Sequence, residues 1–232
     1  MFARIFVTAL GAGAFVGLVL TALQLAITSP MIVAAEAFEG SAVEAHSHTG
    51  DTADGHDHDH GEGWAPADGF ERHLFTGLAS VLTAIGFALA LTAAMVLKGG
   101  AITGRTGLLW GIAGFAAVSL APALGLAPEL PASAAAGLGA RQAWWVATAA
   151  ATAAGIALMV FSPGWGLRLA GVALIALPHI LGAPRPGDFT STAPAELAGN
   201  FAAASLALAA VFWALLGWSA GALWERLERR AA

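Results

Sequence analysis

The sequence predicts an all-α polytopic membrane protein with about six transmembrane helices. Three observations lead to this prediction: 58% of the 232 residues are hydrophobic, only 11% are charged, and the mean hydropathy is +0.74. A soluble domain has about 45–50% apolar and about 25% charged residues, so this chain lacks the polar surface to face water on all sides. One bilayer crossing takes roughly 20 apolar residues, and the apolar content fits about six crossings.

The composition and motifs also exclude several classes of function. Ten Lys and Arg against 15 Asp and Glu argue against nucleic-acid binding, and the absence of Cys excludes disulfide and thiolate sites. Residues 99–106 have the spacing of a phosphate-binding loop, but Arg105 replaces the required Lys and no strand precedes the motif. Hydrolase motifs and an intramembrane His pair for haem are also missing, so we expect that the chain is not an enzyme.

Six continuous apolar runs are predicted to be membrane helices. They cover residues 5–27, 74–97, 107–124, 143–161, 167–181 and 197–223. The first run exceeds the apolar core of a signal peptide, which has about 7–15 residues, so we expect it to be retained; cleavage after residues 33–35 is the alternative. The fifth run is short for a crossing, which leaves five helices as a second count. A β-barrel would need alternating segments of about ten residues, and these runs are continuous.

Positive charges predict the orientation of these helices. The chain divides into a first transmembrane helix (1–27), an extracytoplasmic His/Asp-rich loop expected to lack fixed structure (28–71), and a helical membrane domain of about five further segments (72–232). A cytoplasmic N-terminus puts seven basic residues inside and three outside, as the positive-inside rule favours. The inner residues are Arg4, Lys98, Arg105, Arg168, Arg226, Arg229 and Arg230, and the outer residues are Arg72, Arg141 and Arg185. Both termini are then cytoplasmic, and six helices form three hairpins with outer loops.

The first predicted outer loop concentrates the ionisable residues. Ten of the 15 acidic residues lie within 28–71, and six of the seven histidines lie within 46–73. The central histidines are His46, His48, His56, His58 and His60. Imidazoles at alternate positions share one side of an extended segment, and imidazole with carboxylate suits divalent Co, Ni, Zn or Cu. We expect this tract to collect metal with loose geometry; the alternative is a solvated acidic tract in which the histidines have no role.

Two further residues are candidate metal ligands nearer the membrane. His179 follows Pro178 near the outer end of the fifth run, and Glu129 lies between Pro128 and Pro131 in the second outer loop. An ionisable side chain at membrane depth is costly and is a functional candidate. The alternative for His179 is a structural hydrogen bond or a place at the interface. We expect Glu129 and His179 to contribute to a site for a divalent cation.

Four more residues on the outer side are candidates for a vestibule around this site. They are Glu71, His73, Arg141 and Glu196. Arg141 is expected to pair with a vestibule carboxylate such as Glu129, or else to anchor its helix at the interface. The alternative for the glutamates is helix capping and pairing with the helix dipole.

An ordered set of short motifs resembles CbtA, a family of proposed cobalt transporter subunits. Besides the His/Asp-rich loop, the motifs lie at residues 64–69, 71–72, 120–131, 140–145, 177–184 and 194–197. Each motif is short, but the set runs in order across nearly the whole chain. The resemblance implies a role in cobalt uptake across the bacterial inner membrane, linked to cobalamin synthesis, with a small one-helix partner, CbtB.

We therefore expect the membrane subunit of a divalent-metal uptake transporter. The preference for Co²⁺ over Ni²⁺ or Zn²⁺ comes from the resemblance alone, since the ligand chemistry does not separate these ions. No tightly bound cofactor is expected, and the partners are the lipid bilayer, the transported dication and CbtB. The His-rich loop would lie in the periplasm or outside the cell. The alternative is a non-transporting membrane metal sensor, or a scaffold for the small partner.

Overall fold

Helices make up most of the chain that the structure describes. The structure is a computed structural model that describes residues 1–46, 66–67, 69–131, 133–188 and 190–231, with only the helical backbone for 39–46. The elements in these ranges are α1 (Phe2–His46), α2 (Phe70–Lys98), α3 (Gly104–Gly114), a π-helical turn (Phe115–Leu120), α4 (Ala121–Ala123), α5 (Leu138–Phe161), α6 (Trp165–Leu181) and α7 (Ala195–Arg229). Because α3, the π-helical turn and α4 follow without a break, they form one continuous rod.

Five of these helical segments are long and apolar enough to cross a membrane. They are Phe2–Phe38, Phe70–Lys98, Gly104–Ala123, Leu138–Phe161 and Ala195–Arg229. The sixth apolar helix, α6, has 17 residues and is about 26 Å long, slightly less than the hydrocarbon core of about 30 Å. The prediction of an all-α polytopic membrane protein is confirmed. Helix α6 corresponds to the fifth predicted run, 167–181, which is the run that the sequence analysis identifies as short for a crossing.

Contacts between helix ends show that successive membrane segments alternate in direction. Arg4 in the first turn of α1 forms an ion pair with Glu228 in the last turn of α7, with 3.2 Å between Nη1 and Oε1. Trp144 near the start of α5 contacts His179 near the end of α6. Both termini therefore lie at one end of the bundle, called here the terminal end. The opposite end, the loop end, holds the start of α2 and residues 124–137 and 182–194.

The first helix continues well beyond residue 27, where the sequence predicts its end. It has 45 residues, or about 68 Å at about 1.5 Å per residue. Pro30 removes only one backbone donor and does not break the helix. Two polar contacts hold this outer part against α2: Ser80 donates to Gln24 at 2.7 Å, and Arg72 Nη1 donates to Glu36 Oε2 at 3.0 Å. The predicted loop 28–71 is thus helical as far as His46.

Glycines bring two pairs of helices to backbone contact. A Cβ atom added to Gly107 of α3 would lie 2.1 Å from the carbonyl oxygen of Gly217 in α7. A Cβ atom at Gly155 of α5 would lie 2.6 Å from the carbonyl oxygen of Gly171 in α6. Lipid is as apolar as the side chains, so helices in a bilayer associate through close packing, which small residues permit.

The core lies between α1, α2, α3 and α7, and the α5–α6 hairpin lies beside it. The tightest helix faces in the core are made of small and aliphatic residues: Ala9, Ala12, Val16, Ala84, Ala88, Leu216 and Ala220. Helix α5 packs mainly on the π-helical turn and on α6, and α6 packs on α5. In the described part of the chain, α5 and α7 do not pack against each other. A gap therefore separates α5 from α7.

The close contact between α3 and α7 is testable by adding one methyl group. Gly107→Ala places its Cβ against the Gly217 carbonyl and forces the helices apart, which should cost about 1–3 kcal/mol of stability. Thermal unfolding of the detergent-purified protein measures the loss. Gly86→Ala is the matched control, because no atom lies within 4 Å of the added Cβ. Equal melting temperatures for the two variants would contradict the backbone contact.

Candidate functional site

The rod formed by α3, the π-helical turn and α4 widens where it faces the gap. Residues Phe115–Leu120 form the π-helical turn, and the buried Pro122 follows it. Such turns are rare and occur often at functional sites. Trp213 of α7 donates a hydrogen bond through Nε1 to the Ser119 hydroxyl at 3.1 Å, which ties the turn to α7. The same turn also borders a cavity, through Val118 and Ser119.

The cavity lies at the loop end, between the π-helical turn, the start of α5 and α7. It has a volume of about 740 Å³, within the range of about 300–1,000 Å³ that is usual for ligand sites. Most of its lining is apolar, from residues such as Leu126, Leu138, Trp145, Val146, Leu206 and Ala209. Its polar and charged side chains are Ser119, Glu129, Arg141, Gln142 and Ser205. The cavity therefore combines an apolar wall with one acid, one base and several neutral oxygen-bearing groups.

An ion pair inside the cavity joins the two residues that the sequence suggested as partners. Glu129 comes from the proline-flanked connection between α4 and α5, and Arg141 comes from the first turn of α5. The distance from Arg141 Nη2 to Glu129 Oε2 is 2.5 Å, and the side chains are 30% and 26% exposed. The Nε atom of Arg141 is buried and has no hydrogen-bond partner in the described part of the chain. The guanidinium is thus held by the carboxylate and is not fully satisfied by the rest of its surroundings.

His179 lies next to this cavity and does not line it. Its ring packs against that of Trp144 in a T-shaped arrangement, with 6.0 Å between ring centroids. Trp144 also packs against Gly125, where an added Cβ would lie 2.4 Å from the indole. The Nε2 atom of His179 and the Nε1 atom of Trp144 are both buried without a hydrogen-bond partner in the ranges described. Nε2 of His179 therefore makes no structural hydrogen bond within these ranges.

The remaining vestibule candidates lie away from the cavity. Glu71 accepts a hydrogen bond from the Ala67 amide at 3.2 Å, a contact of the capping kind. His73 is exposed near the start of α2, and Glu196 is exposed in the first turn of α7. None of these three side chains is among the described residues that line the cavity. The structure thus brings Glu129 and Arg141 together and leaves Glu71, His73 and Glu196 outside.

Two serines line the cavity that the sequence did not single out. Ser119 lies in the π-helical turn, and Ser205 lies in the first third of α7. The only signal for either is an isolated hydroxyl in a run of Ala, Leu and Val. Such a residue is common in membrane helices, where it can bond to its own backbone, so this signal alone does not indicate a site.

The histidine tract lies almost wholly outside the described residues. His46 is the last residue of α1, known here by its backbone, and His48, His56, His58 and His60 fall outside the described ranges. Within the described residues, no group of three or more His, Asp or Glu side chains is placed to hold a metal ion. The candidate ligands Glu129 and His179 are therefore not part of a complete metal cage within the described residues.

A comparison with known protein families identifies the relationship. The sequence model of the family described as "Probable cobalt transporter subunit (CbtA)" matches residues 2–225 of the 232. The chain belongs to the CbtA family. No curated protein and no solved structure matches the chain.

Membership of the CbtA family confirms the resemblance seen in the ordered motifs. The match covers all but the last few residues of the helical membrane domain, and it includes Glu129, Arg141 and His179. Together with five helices that can cross a membrane, it makes this CbtA protein a membrane protein of a family of probable cobalt transporter subunits. The family description implies cobalt as transported cargo.

The cavity of this CbtA protein can be probed directly, because the chain has no native Cys. A single Ser205→Cys variant should react readily with a water-soluble maleimide, since Ser205 lines a cavity that contains a charged pair. Leu208→Cys, one turn further along α7 and only 7% exposed, is the matched control and should react at least about tenfold more slowly. Labelling is read as a mass shift of the purified protein. Equal labelling rates would contradict a water-accessible cavity at this position.

Proposed function

We propose that this protein is the membrane subunit of a Co²⁺ uptake transporter linked to cobalamin synthesis. The proposal rests first on membership of the CbtA family, which favours transport over catalysis. The single structural observation that supports it is a carboxylate, Glu129, facing a cavity of about 740 Å³ within a helical membrane domain. A charged carboxylate in such surroundings costs free energy unless it is paired. Such a residue is therefore a candidate for a function.

In this proposal the histidine tract at 46–60 gathers the metal on the outer side of the bacterial inner membrane. The helical extension of α1 supports this role, because its last residue His46 lies 19 positions beyond residue 27 and thus about 28 Å further along the helix. The tract would raise the local concentration of dications near the loop end. Its composition, rich in Gly and Asp, suits weak collection of metal and does not select one coordination geometry.

The cation then enters the cavity, where we propose Glu129 as its principal ligand. Oxygen atoms of Ser119, Gln142 and Ser205 line the same cavity and can complete a partly hydrated coordination shell. We propose His179, which lies beside the cavity and not in its lining, as a second ligand on the path of the ion, because its Nε2 atom is buried without a hydrogen-bond partner in the described part of the chain. Imidazole nitrogen with carboxylate oxygen suits Co²⁺, and the same chemistry accepts Ni²⁺ and Zn²⁺.

The orientation and the partner belong to the same proposal. Seven of the ten basic residues lie on the side that we assign to the cytoplasm, together with both termini. The loop end and the histidine tract then face outward. A small one-helix protein, CbtB, is the proposed partner.

A non-transporting metal sensor or scaffold is the second candidate function. The observation that favours it is the lack of a complete group of metal ligands within the described residues. Flux of Co²⁺ into liposomes that contain the purified chain, alone and with the small partner, separates the two functions. Flux in either case supports transport, and its absence in both supports the sensor or scaffold.

The histidine tract should matter only when metal is scarce. Replacement of His46, His48, His56, His58 and His60 by Ala removes the collecting groups and leaves the cavity intact. We expect uptake of radiolabelled Co²⁺ by cells to fall several-fold at limiting metal and to reach the normal rate at abundant metal. Unchanged uptake at every concentration would rule out a collecting role.

The cavity carboxylate should matter at all metal concentrations. Glu129→Gln keeps the size of the side chain and removes its charge, so cellular Co²⁺ uptake should fall to the background of cells that lack the protein. His179→Ala should give the same loss if it is the second ligand. Glu196→Gln is the matched control, because this carboxylate is exposed and does not line the cavity. Normal uptake by Glu129→Gln would remove the cavity from the pathway.

A further inference from the structure

The cavity contains its own cation, the guanidinium of Arg141. It lies 2.5 Å from the Glu129 carboxylate, which the proposed function assigns to the transported metal. Both side chains line the cavity and face its open space. A metal ion that binds Glu129 must therefore compete with Arg141 for the same oxygen atoms.

We propose that Arg141 is a tethered counter-cation that makes the Glu129 site selective for divalent over monovalent cations and keeps divalent binding weak. This inference rests on the proposed function, since it concerns the same carboxylate. It assigns a role to a basic residue that a cation site would otherwise be expected to exclude.

Charge explains the selectivity. At equal distance, a divalent ion is attracted to a carboxylate twice as strongly as a monovalent ion or a guanidinium. A monovalent ion from solution thus has no electrostatic advantage over Arg141. It also loses translational freedom on binding, whereas Arg141 is already held in place by the first turn of α5. Only a cation of higher charge can displace the guanidinium.

Charge also explains release. The empty pair of Glu129 and Arg141 has a net charge of zero, which an apolar cavity tolerates. A bound dication raises the net charge of the cavity, and the displaced guanidinium remains nearby and repels it. A transport site must bind well enough to admit the ion and weakly enough to release it, and Arg141 supplies the second property.

The geometry leaves the guanidinium able to move. Its Nε atom is buried without a hydrogen-bond partner in the described part of the chain. Displacement of the guanidinium therefore breaks its contact with Glu129, but it breaks no hydrogen bond at Nε in that part of the chain. The cavity of about 740 Å³ is far larger than a hydrated ion and gives the side chain space. Arg141 is on a helix, whereas Glu129 is on a connection that contains Pro128 and Pro131.

Binding of Co²⁺ to the purified full-length protein tests the proposal. The five central histidines are first replaced by Ala, so that the tract does not contribute to the signal. In this background Arg141→Gln should bind Co²⁺ at least about tenfold more tightly, since a neighbouring opposite charge changes the affinity of a carboxylate for a proton by about tenfold to a thousandfold. Excess K⁺ should weaken Co²⁺ binding to Arg141→Gln and leave the parent protein almost unaffected.

Three further variants separate charge from folding. Arg141→Lys keeps the tethered charge and should resemble the parent protein in affinity and in its response to K⁺. Arg185→Gln removes an exposed basic residue that lies outside the cavity lining and should change neither property. Glu129→Gln should abolish binding in the same background. These controls show that an effect of Arg141→Gln comes from the charge at this position.

The outcomes distinguish this inference from the proposed function. If Co²⁺ binding depends on Glu129 but Arg141→Gln changes neither the affinity nor the response to K⁺, the tethered counter-cation is refuted and the metal site stands. If Glu129→Gln binds Co²⁺ as the parent protein does, the proposed site is wrong, and with it the role of Arg141. Tighter binding with new K⁺ sensitivity in Arg141→Gln alone supports the inference.

Discussion

The backbone contact between α3 and α7 is the constraint on which the candidate site depends. Gly107 and Gly217 approach so closely that an added Cβ would meet a carbonyl oxygen at 2.1 Å. This contact fixes the rod of α3, the π-helical turn and α4 against the core, and the hydrogen bond from Trp213 to Ser119 fixes its outer part. Helix α5 packs on the π-helical turn instead of on α7. The cavity exists because α5 is held away from α7.

Charge within an apolar surrounding is the second constraint. Most of the cavity lining is apolar, and Glu129 and Arg141 are only 26% and 30% exposed. An isolated ion at such a place would be strongly disfavoured, whereas a pair satisfies both charges. The pair also keeps a charged carboxylate in the membrane domain. In the proposed function, another cation competes with Arg141 for this carboxylate. In this proposal, the stability of the empty site and the binding of a cation thus depend on the same contact.

The long first helix connects the membrane domain with the histidine tract. Its outer part is held to α2 by the contacts Ser80 to Gln24 and Arg72 to Glu36. These contacts set the direction in which α1 leaves the bundle and where the tract begins. In the proposed function, the histidine tract collects the metal and the membrane domain passes it inward. Helix α1 joins these two parts.

The sequence by itself predicted six apolar helical segments and their order along the chain. Backbone groups in lipid must form hydrogen bonds within their own helix. A long apolar run such as 74–97 can therefore be predicted as a helix without knowledge of the helices that pack against it. The ordered motifs likewise predicted the family. The end of α1 was misplaced because its extension is held by Arg72, which is 36 positions from Glu36. Hydropathy does not record such a contact.

Only the tertiary structure decided which residues meet. It brought Ser119 and Ser205 to one cavity with Glu129 and Arg141, and it put His179 against Trp144 outside the cavity lining. It also left Glu71, His73 and Glu196 away from the site. The physical reason is that the rotation of each helix about its axis depends on packing with its neighbours. A continuous apolar sequence has no polar face to reveal that rotation, so the site became visible only when the helices were assembled.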